Sequence, residues 1–172
     1  MTSPAPVLET ARLLLREWTL EDVDRFAEIY ADPEVMRFVG NYRPRNREET
    51  IARKMKSIRH YAEHGFGMWA VVEKSSGLVI GRAGLETLDD DVEVAWLLDK
   101  PWWGKGLATE AARASVGYGF AVLELRRIVA AAIPENEASI NVMRKLGMTP
   151  CGTREAAGRT MVVYELLRSE AS

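Results

Sequence analysis

The sequence predicts a mixed α/β fold, in which helices cover both faces of a central sheet of about seven strands. Two patterns point to this class. Apolar and polar residues alternate between Phe66 and Leu98 and are interrupted by turn residues, which predicts an antiparallel meander. A helical segment then leads into the continuous apolar run at Arg127–Ile133, which is typical of a βαβ unit with a parallel strand pair. The predicted element order is β-α-α-β-β-β-α-β-α-β-β.

Length and composition limit the classes of protein. The 172 residues fit one domain, predicted at 7–172 after an N-terminal tail at 1–6. The chain has 23 basic and 25 acidic side chains, and its net charge of −2 argues against nucleic-acid binding through bulk positive charge. The single cysteine, Cys151, is predicted to be a small buried residue. Because no apolar run could span a membrane and no signal peptide is evident, we expect a cytoplasmic protein that contacts no membrane.

The first half of the chain is predicted to contain one strand and two helices. The strand lies within Leu8–Trp18. Thr19 is typical of a helix N-cap, and the first helix ends near Asp32-Pro33. The second helix spans Arg47–His64 and stops at Gly65. The apolar stripe of this second helix, which we expect to face the core, consists of Ile51, Met55, Ile58 and Ala62.

The second half is predicted to contain the meander, two helices and three further strands. In the last meander strand, Glu93 lies on the face opposite Val94 and Trp96. The predicted strands are Phe66–Glu73, Leu78–Leu88, Val92–Leu98, Arg127–Ile133, Met148–Arg154 and Arg159–Leu167, and the predicted helices are Leu107–Leu123 and Ala138–Leu146.

The loop between the last meander strand and its helix indicates an anion site. Gly104 and Gly106 let backbone N–H groups converge, and the helix N-terminus adds roughly half a positive charge. Two other phosphate loops are excluded by spacing. Lys105 is followed by glycine rather than by Ser or Thr, so this is not a P-loop. The dinucleotide fingerprint fails because Thr109 stands where its third glycine is required.

Together with Glu93–Asp99, the segment Trp102–Ala111 resembles the acyl-CoA-binding motif of the GNAT family of N-acetyltransferases. Within that family the chain looks most like the branch that acetylates the N-termini of ribosomal proteins. Further segments that are similar to this branch are Thr10–Arg16, Asp32–Met36, Gly65–Val71, Pro134–Ile140 and Lys145–Met148. They cover nearly the whole chain in the order of the predicted elements.

The resemblance implies acetyl-CoA as co-substrate and no metal. The pyrophosphate of acetyl-CoA would lie on the glycine-rich loop. Its pantetheine arm would fill a gap between the strand that ends at Leu98 and the strand that starts at Arg127. In this alignment Trp103 replaces the usual Gln or Arg, and the Leu97 N–H is the expected donor to the thioester carbonyl. The implied cofactor-binding residues are Leu97, Leu98, Trp103, Gly104, Lys105, Gly106, Leu107, Ala108, Thr109, Asn136, Ser139 and Lys145.

The catalytic residues implied by the resemblance are Glu93, Ser139 and Leu97. Glu93 would act as general base through a water, and a solvated strand carboxylate is the alternative. The tyrosine acid found in many members corresponds here to Met143, so Ser139 is the expected substitute. Ser139 and Asn136 could instead only cap the helix that they begin.

The predicted function is acetyl-CoA-dependent transfer of an acetyl group to a primary amine, on a protein N-terminus or a small molecule. The alternative is a non-catalytic acyl-CoA sensor that keeps the loop without the chemistry. His60 and His64 have metal-ligand spacing but lack a third ligand. Basic residues before and along the second helix could contact RNA, or form a solvated face balanced by acids. A homodimer is open as well, since small enzymes often form two-fold pairs.

Overall fold

The computed structural model describes residues 6–171, which form one eight-stranded sheet with helices on both faces. The strands are β1 (Pro6–Glu9), β2 (Leu13–Arg16), β3 (Met68–Glu73), β4 (Val79–Leu88), β5 (Asp91–Leu98), β6 (Arg127–Ala132), β7 (Thr149–Ala156) and β8 (Arg159–Leu167). The helices are α1 (Val23–Ala31), α2 (Pro33–Met36), α3 (Arg47–His64), α4 (Leu107–Ala121) and α5 (Glu137–Lys145). The sheet order is β1-β2-β3-β4-β5-β6-β8-β7. The predicted mixed α/β class is confirmed.

The strand count differs from the prediction because the segment predicted as one strand at Leu8–Trp18 is a hairpin. The Thr10 N–H donates to the Leu13 carbonyl at 2.9 Å, and the Leu13 N–H donates to Thr10 Oγ1 at 3.0 Å. These bonds close a tight turn that separates β1 from β2. Of the tail predicted at 1–6, residues 1–5 lie outside the described residues, and Pro6 is the first residue of β1.

Local capping explains where the first helices begin. The Asp22 carboxylate accepts the Thr19 N–H at 2.8 Å, and a 3₁₀ turn precedes α1. The predicted end of the first helix near Asp32-Pro33 is confirmed. The short helix α2, which was not predicted, follows because Asp32 accepts the Glu34 N–H at 2.8 Å and Pro33 suits a first helical position. The predicted bounds of α3 are confirmed.

The orientation of α3 contradicts the predicted core-facing stripe. Ile51, Met55 and Ile58 are 39%, 41% and 39% exposed, and Ala62 is exposed as well. The buried side chains of α3 are Thr50, Lys54 and Ser57. The physical reason is that the sheet beneath α3 carries charge: Arg53 Nη2 donates to Glu86 Oε2 of β4 at 2.9 Å. The helix therefore turns its polar face inward.

Small side chains let α4 lie close to the other face of the sheet. Ala111, Ala112 and Ser115 are completely buried. A Cβ on Gly119 would come within 2.7 Å of Ile128 Cδ1, so a larger residue there would require the Ile128 side chain to shift. On the opposite face, Phe26 of α1 belongs to a separate apolar cluster that also holds Ala70 and Leu97.

Strands β5 and β6 pair over a very short distance. They are parallel, and within residues 6–171 they are joined by a single register pair, Glu93 with Val129. On its other edge β6 pairs with β8 over its full length, from Arg127 opposite Leu167 to Ala132 opposite Val162. The carboxyl-terminal half of β5 therefore has an unpaired edge, which forms the gap predicted between the two strands.

Cys151 is exposed, which corrects the prediction that it is buried. It lies in β7, which is the last strand of the sheet and has solvent on its outer edge. The sequence of β7 lacks apolar residues at alternate positions, so this strand buries few of its side chains.

Candidate active site

The loop before α4 presents unpaired backbone donors. Gly104 and Gly106 both have left-handed φ, 73° and 76°, and Gly106 is the N-cap of α4. Within residues 6–171, no protein acceptor receives a backbone N–H of residues 104–109, whereas the Glu110 N–H already bonds to the Gly106 carbonyl at 3.1 Å. Residues 104–106 are exposed. The loop and first helical turn can therefore bind an anion through several N–H groups.

A second segment of the chain fixes this loop from behind. Arg12 Nη1 donates to the Lys105 carbonyl at 2.8 Å. Glu110 accepts from Arg12 Nε at 2.7 Å, from the Arg12 N–H at 2.9 Å and from Thr10 Oγ1 at 2.7 Å. Burial opposes its ionisation, but these hydrogen bonds prevail and hold the pKa of Glu110 below its usual value. Sequence reasoning missed this contact, although the Thr10–Arg16 segment was part of the resemblance.

Trp103 binds the end of β5 and does not project freely. Its indole Nε1 donates to the Leu98 carbonyl at 2.8 Å, and the side chain is 45% exposed. The neighbouring Trp102 donates to Glu73 Oε2 at 3.0 Å. The two tryptophans thereby connect the loop to β5 and to β3.

The ladder between β4 and β5 determines which backbone groups face the gap. The Asp99 N–H donates to the Ile80 carbonyl at 2.7 Å, and the register is unbroken from Leu98 opposite Gly81 to Asp91 opposite Leu88. Hydrogen-bonded pairs alternate in an antiparallel ladder. Leu97 therefore bonds to Arg82 of β4, and its N–H points away from the gap.

The expectation that the Leu97 N–H faces the gap is therefore wrong. The reason is that hydrogen-bonded and non-hydrogen-bonded pairs alternate along the ladder between β4 and β5. The N–H groups that face the gap are those of Trp96 and Leu98. The Leu98 carbonyl also faces this side but is bound by Trp103. The Leu97 side chain lies on the face of the sheet that α1 covers, where it packs with Phe26 and Ala70.

Glu93 lies where β5 and β6 separate, and it shares a sheet face with Leu97 rather than with Val94. Its side chain is partly exposed. Burial, aided by the facing Glu86 carboxylate, raises the pKa of Glu93 to about 7, while Arg154 and Arg82 act in the opposite direction. A carboxyl group with this pKa can accept a proton near neutral pH.

Helix α5 begins beside β6 with a capped turn. The Ser139 N–H donates to Asn136 Oδ1 at 3.2 Å, so Asn136 is an N-cap, and its amide nitrogen remains available to a ligand. Ser139 is half-buried. Met143 is only 1% exposed and belongs to the core, so that position offers no proton donor. Lys145 is exposed, and its carbonyl accepts from Arg113 Nη2 at 3.1 Å.

Several basic residues around α3 have acidic partners. Arg43 pairs with Glu49 at 2.6 Å, Arg53 with Glu86 at 2.9 Å, and Arg47 with Asp24. This supports the balanced, solvated face over an RNA-binding surface. His60 bonds to the Phe66 carbonyl at 3.0 Å and accepts the Thr87 N–H at 3.0 Å. The described part of the chain contains no cluster of metal-binding side chains.

Comparison with known proteins agrees with this geometry. The sequence model of the acetyltransferase (GNAT) domain family matches residues 12–149. An uncharacterized N-acetyltransferase of Bacillus licheniformis, p20, is 32% identical, and the match covers 95% of this chain and 97% of that protein. A GNAT-family acetyltransferase from Bacillus anthracis is 25% identical, with a TM-score of 0.83 over 94% of this chain and 98% of the other.

A further structure shares the fold at low identity. The ribosomal L7/L12 α-N-protein acetyltransferase RimL, solved in complex with coenzyme A, has a TM-score of 0.81 and 16% identity, covering 95% of this chain and 98% of the other. The chain belongs to the GNAT acetyltransferase family, and it is an N-acetyltransferase that uses acetyl-CoA. Among residues 6–171, no helix is long and apolar enough to cross a membrane.

Proposed function

We propose that the chain transfers the acetyl group of acetyl-CoA directly to a primary amine, with Glu93 as general base. The observation that carries the proposal is that three features lie around the gap between β5 and β6 in the interior of the sheet. They are the unpaired N–H groups of residues 104–109, the open edge of β5, and the carboxyl group of Glu93 where β5 and β6 separate.

The loop donors fit the pyrophosphate of acetyl-CoA. N–H groups at a helix N-terminus stabilise phosphate oxygens, and the left-handed glycines keep side chains away from the anion. We assign this contact to the N–H groups of Lys105, Gly106, Ala108 and Thr109. Leu107 is buried beneath them and holds the first turn to the sheet. Gly104 shapes the loop, and Lys145 is the candidate partner of a more distant phosphate.

The pantetheine arm would pair with the open edge of β5 as an additional strand. Leu98 is nearer the loop and Trp96 is deeper in the gap, closer along the strand to Glu93. We therefore assign the Leu98 N–H to the arm and the Trp96 N–H to the thioester carbonyl. Asn136 could donate its free amide hydrogens to the arm from the opposite wall of the gap.

In the reaction, the amine nitrogen forms a bond to the thioester carbon, and the carbon–sulfur bond then breaks. The Trp96 N–H stabilises the oxyanion that develops on the carbonyl oxygen, a contribution of about 3–4 kcal/mol for donors of this kind. The proton lost by the amine passes to Glu93 through a water. The departing thiolate takes a proton from solvent water, and the Ser139 hydroxyl in the first turn of α5 relays it, accepting one proton from the water as it donates its own to the sulfur.

The first test is the melting temperature with and without saturating acetyl-CoA. At about 100 times Kd the ligand should add about 2.7 kcal/mol, or about 5–10 °C for this chain length. ATP and NAD serve as controls. Release of free CoA is then followed with a panel of primary amines. A chain that binds acetyl-CoA but releases CoA with no amine would be a sensor, and one that does not bind would refute the site.

A further inference from the structure

The peptide between Lys105 and Gly106 has two possible orientations in the anion-binding loop. In a planar trans peptide the carbonyl and the N–H point in opposite directions, so turning the peptide over exchanges one for the other. Glycine tolerates both signs of φ, and Gly106, whose φ is 76°, therefore permits either orientation. One orientation offers the Gly106 N–H to a phosphate, whereas the other turns the Lys105 carbonyl toward the phosphate and repels it.

Arg12 binds this peptide by its carbonyl. Arg12 Nη1 donates to the Lys105 carbonyl at 2.8 Å, and Arg12 Nη2 would lie 3.6 Å from a Cβ on Gly106. In the part of the chain that the structure describes, the Gly106 N–H has no backbone acceptor. The guanidinium and this N–H therefore lie on opposite sides of the same peptide, with the N–H directed to the side where a phosphate can approach.

Glu110 fixes the Arg12 guanidinium in this position. Arg12 Nε and Nη2 both lie 2.7 Å from Glu110 Oε2, and Glu110 Oε1 accepts from Thr10 Oγ1 at 2.7 Å and from the Arg12 N–H at 2.9 Å. The third guanidinium nitrogen, Nη1, is the one that reaches the loop. The planar fork of arginine thus holds the carboxylate and the Lys105 carbonyl at the same time.

We infer that Arg12 is a positioning residue for the pyrophosphate of acetyl-CoA, because it keeps the Gly106 N–H directed at the phosphate. The inference deepens the proposed function and rests on it for the identity of the anion. A hydrogen bond from a cation to a carbonyl is charge-assisted, and it polarises the peptide so that the N–H on the far side is a better donor. A side chain 93 positions away in the sequence thereby contributes to the affinity for the co-substrate without contacting it.

Binding of inorganic pyrophosphate tests the inference without turnover. In ¹⁵N-labelled protein, the Gly106 amide signal is followed as pyrophosphate is added. We expect a saturable shift in the wild type and a Kd about tenfold higher in Arg12→Met, the effect of losing one hydrogen bond to a charged group. Arg12→Lys should raise the Kd by a smaller factor, because an ammonium lacks the fork that holds both partners. If Arg12→Met does not fold, an unchanged Kd in Arg12→Lys overturns the inference.

Lys74→Met is the matched control, because Lys74 holds the same hairpin but does not contact the loop. Lys74 Nζ donates to the Thr10 carbonyl at 2.5 Å and pairs with Glu9 at 2.6 Å. This variant should lose stability, measured as the melting temperature, but should bind pyrophosphate as the wild type does. Equal losses of affinity in Lys74→Met and Arg12→Met would show that Arg12 only supports the fold, and would overturn the inference.

Kinetics then locate the effect on one part of the co-substrate. S-acetylpantetheine carries the thioester and the arm but no pyrophosphate. The ratio of kcat/KM for acetyl-CoA to that for S-acetylpantetheine should fall about tenfold in Arg12→Met, mainly through the KM for acetyl-CoA. An unchanged ratio, or a wild-type Gly106 signal that does not respond to pyrophosphate, overturns the inference. If Gly106 responds as expected but no amine is acetylated, the proposed function fails and the role of Arg12 in the loop stands.

Discussion

Glu86 and Glu93 stand directly opposite each other on β4 and β5, and within residues 6–171 only Glu86 of the two forms an ion pair with an arginine. Like charges facing each other across a ladder are unfavourable. Arg53 keeps Glu86 ionised, whereas burial, aided by the facing charge of Glu86, raises the pKa of Glu93 to about 7. One carboxyl group thus serves the structure, and the other is left with a pKa suited to proton transfer.

Glu93→Gln should reduce kcat by about 10²-fold, the lower end of general-base effects, because an amine that is partly neutral needs only a weak base. The wild-type rate should rise with pH through about 7, and the variant should lose this dependence. The measurement is a pH–rate profile for CoA release. Glu63→Gln, an exposed acid on α3, is the control. An unchanged profile in Glu93→Gln would assign the base elsewhere.

The same residue predicts a pH dependence of stability. The pKa of Glu93 is raised from 4.5 to about 7, so the folded state holds its proton more tightly than the unfolded state. The free energy of unfolding should therefore fall as pH rises from about 4.5 to about 7. Glu93→Gln should remove this decline and be the more stable protein above pH 7. Urea unfolding at several pH values measures the difference between the two proteins.

Gly106→Ala should weaken acetyl-CoA binding at least tenfold. An alanine at φ 76° costs about 1–2 kcal/mol and would shift the loop donors. Gly77→Ala is the matched control: its φ is 70°, and it lies in the β3–β4 turn. A Cβ there meets nothing within 4 Å, and a Cβ on Gly106 would make only an ordinary contact with Arg12 Nη2 at 3.6 Å. Both variants should lose similar stability, but only Gly106→Ala should change the Kd for acetyl-CoA. Equal Kd values in the two would contradict the loop assignment.

Glu110→Ala should both destabilise the fold and weaken acetyl-CoA binding, because Glu110 holds Arg12 against the loop. We expect a loss of about 1–3 kcal/mol for charge-assisted hydrogen bonds. The pKa of Glu110 is lowered, so its contribution is present above the unfolded pKa and is lost as pH falls. Glu48→Ala, an exposed acid in the first turn of α3, is the control. If Glu110→Ala bound acetyl-CoA with wild-type affinity, the contact between Glu110 and Arg12 would not be needed for binding.

Lys54→Met should stabilise the protein by about 1–3 kcal/mol at pH 7. Lys54 is 2% exposed, and its Nζ lies 3.7 Å from Asp22, which already binds Arg16 through both oxygens. Burial lowers the pKa of Lys54 to about 7, so wild-type stability should rise with pH between about 7 and 10.5, and the variant should not show this rise. Lys56→Met is the exposed control. A large loss of stability in Lys54→Met would instead show that the ion pair of Lys54 with Asp22 is essential to the fold.

Local patterns predicted most elements because their causes are local. The αL glycine at 65 and the Asn46 cap set the ends of α3 at the predicted residues. The small residues of α4 and the apolar run of β6 predicted close packing and burial. The apolar stripe of α3 was wrongly predicted to face the core, because periodicity distinguishes the two faces of a helix but does not determine which one packs on the sheet. That choice depends on Glu86, a residue distant in sequence.

The sequence by itself determined the fold class, the glycine loop and the presence of Glu93, since these depend on short-range spacing and residue type. Only the tertiary structure decided that Trp96 and Leu98, rather than Leu97, face the gap, because ladder parity is set by the partner strand. It also decided which charges are paired. Arg53 and Arg82 are both arginines, yet Arg53 forms an ion pair with Glu86, whereas Arg82 is buried and its Nε has no hydrogen-bond partner within residues 6–171.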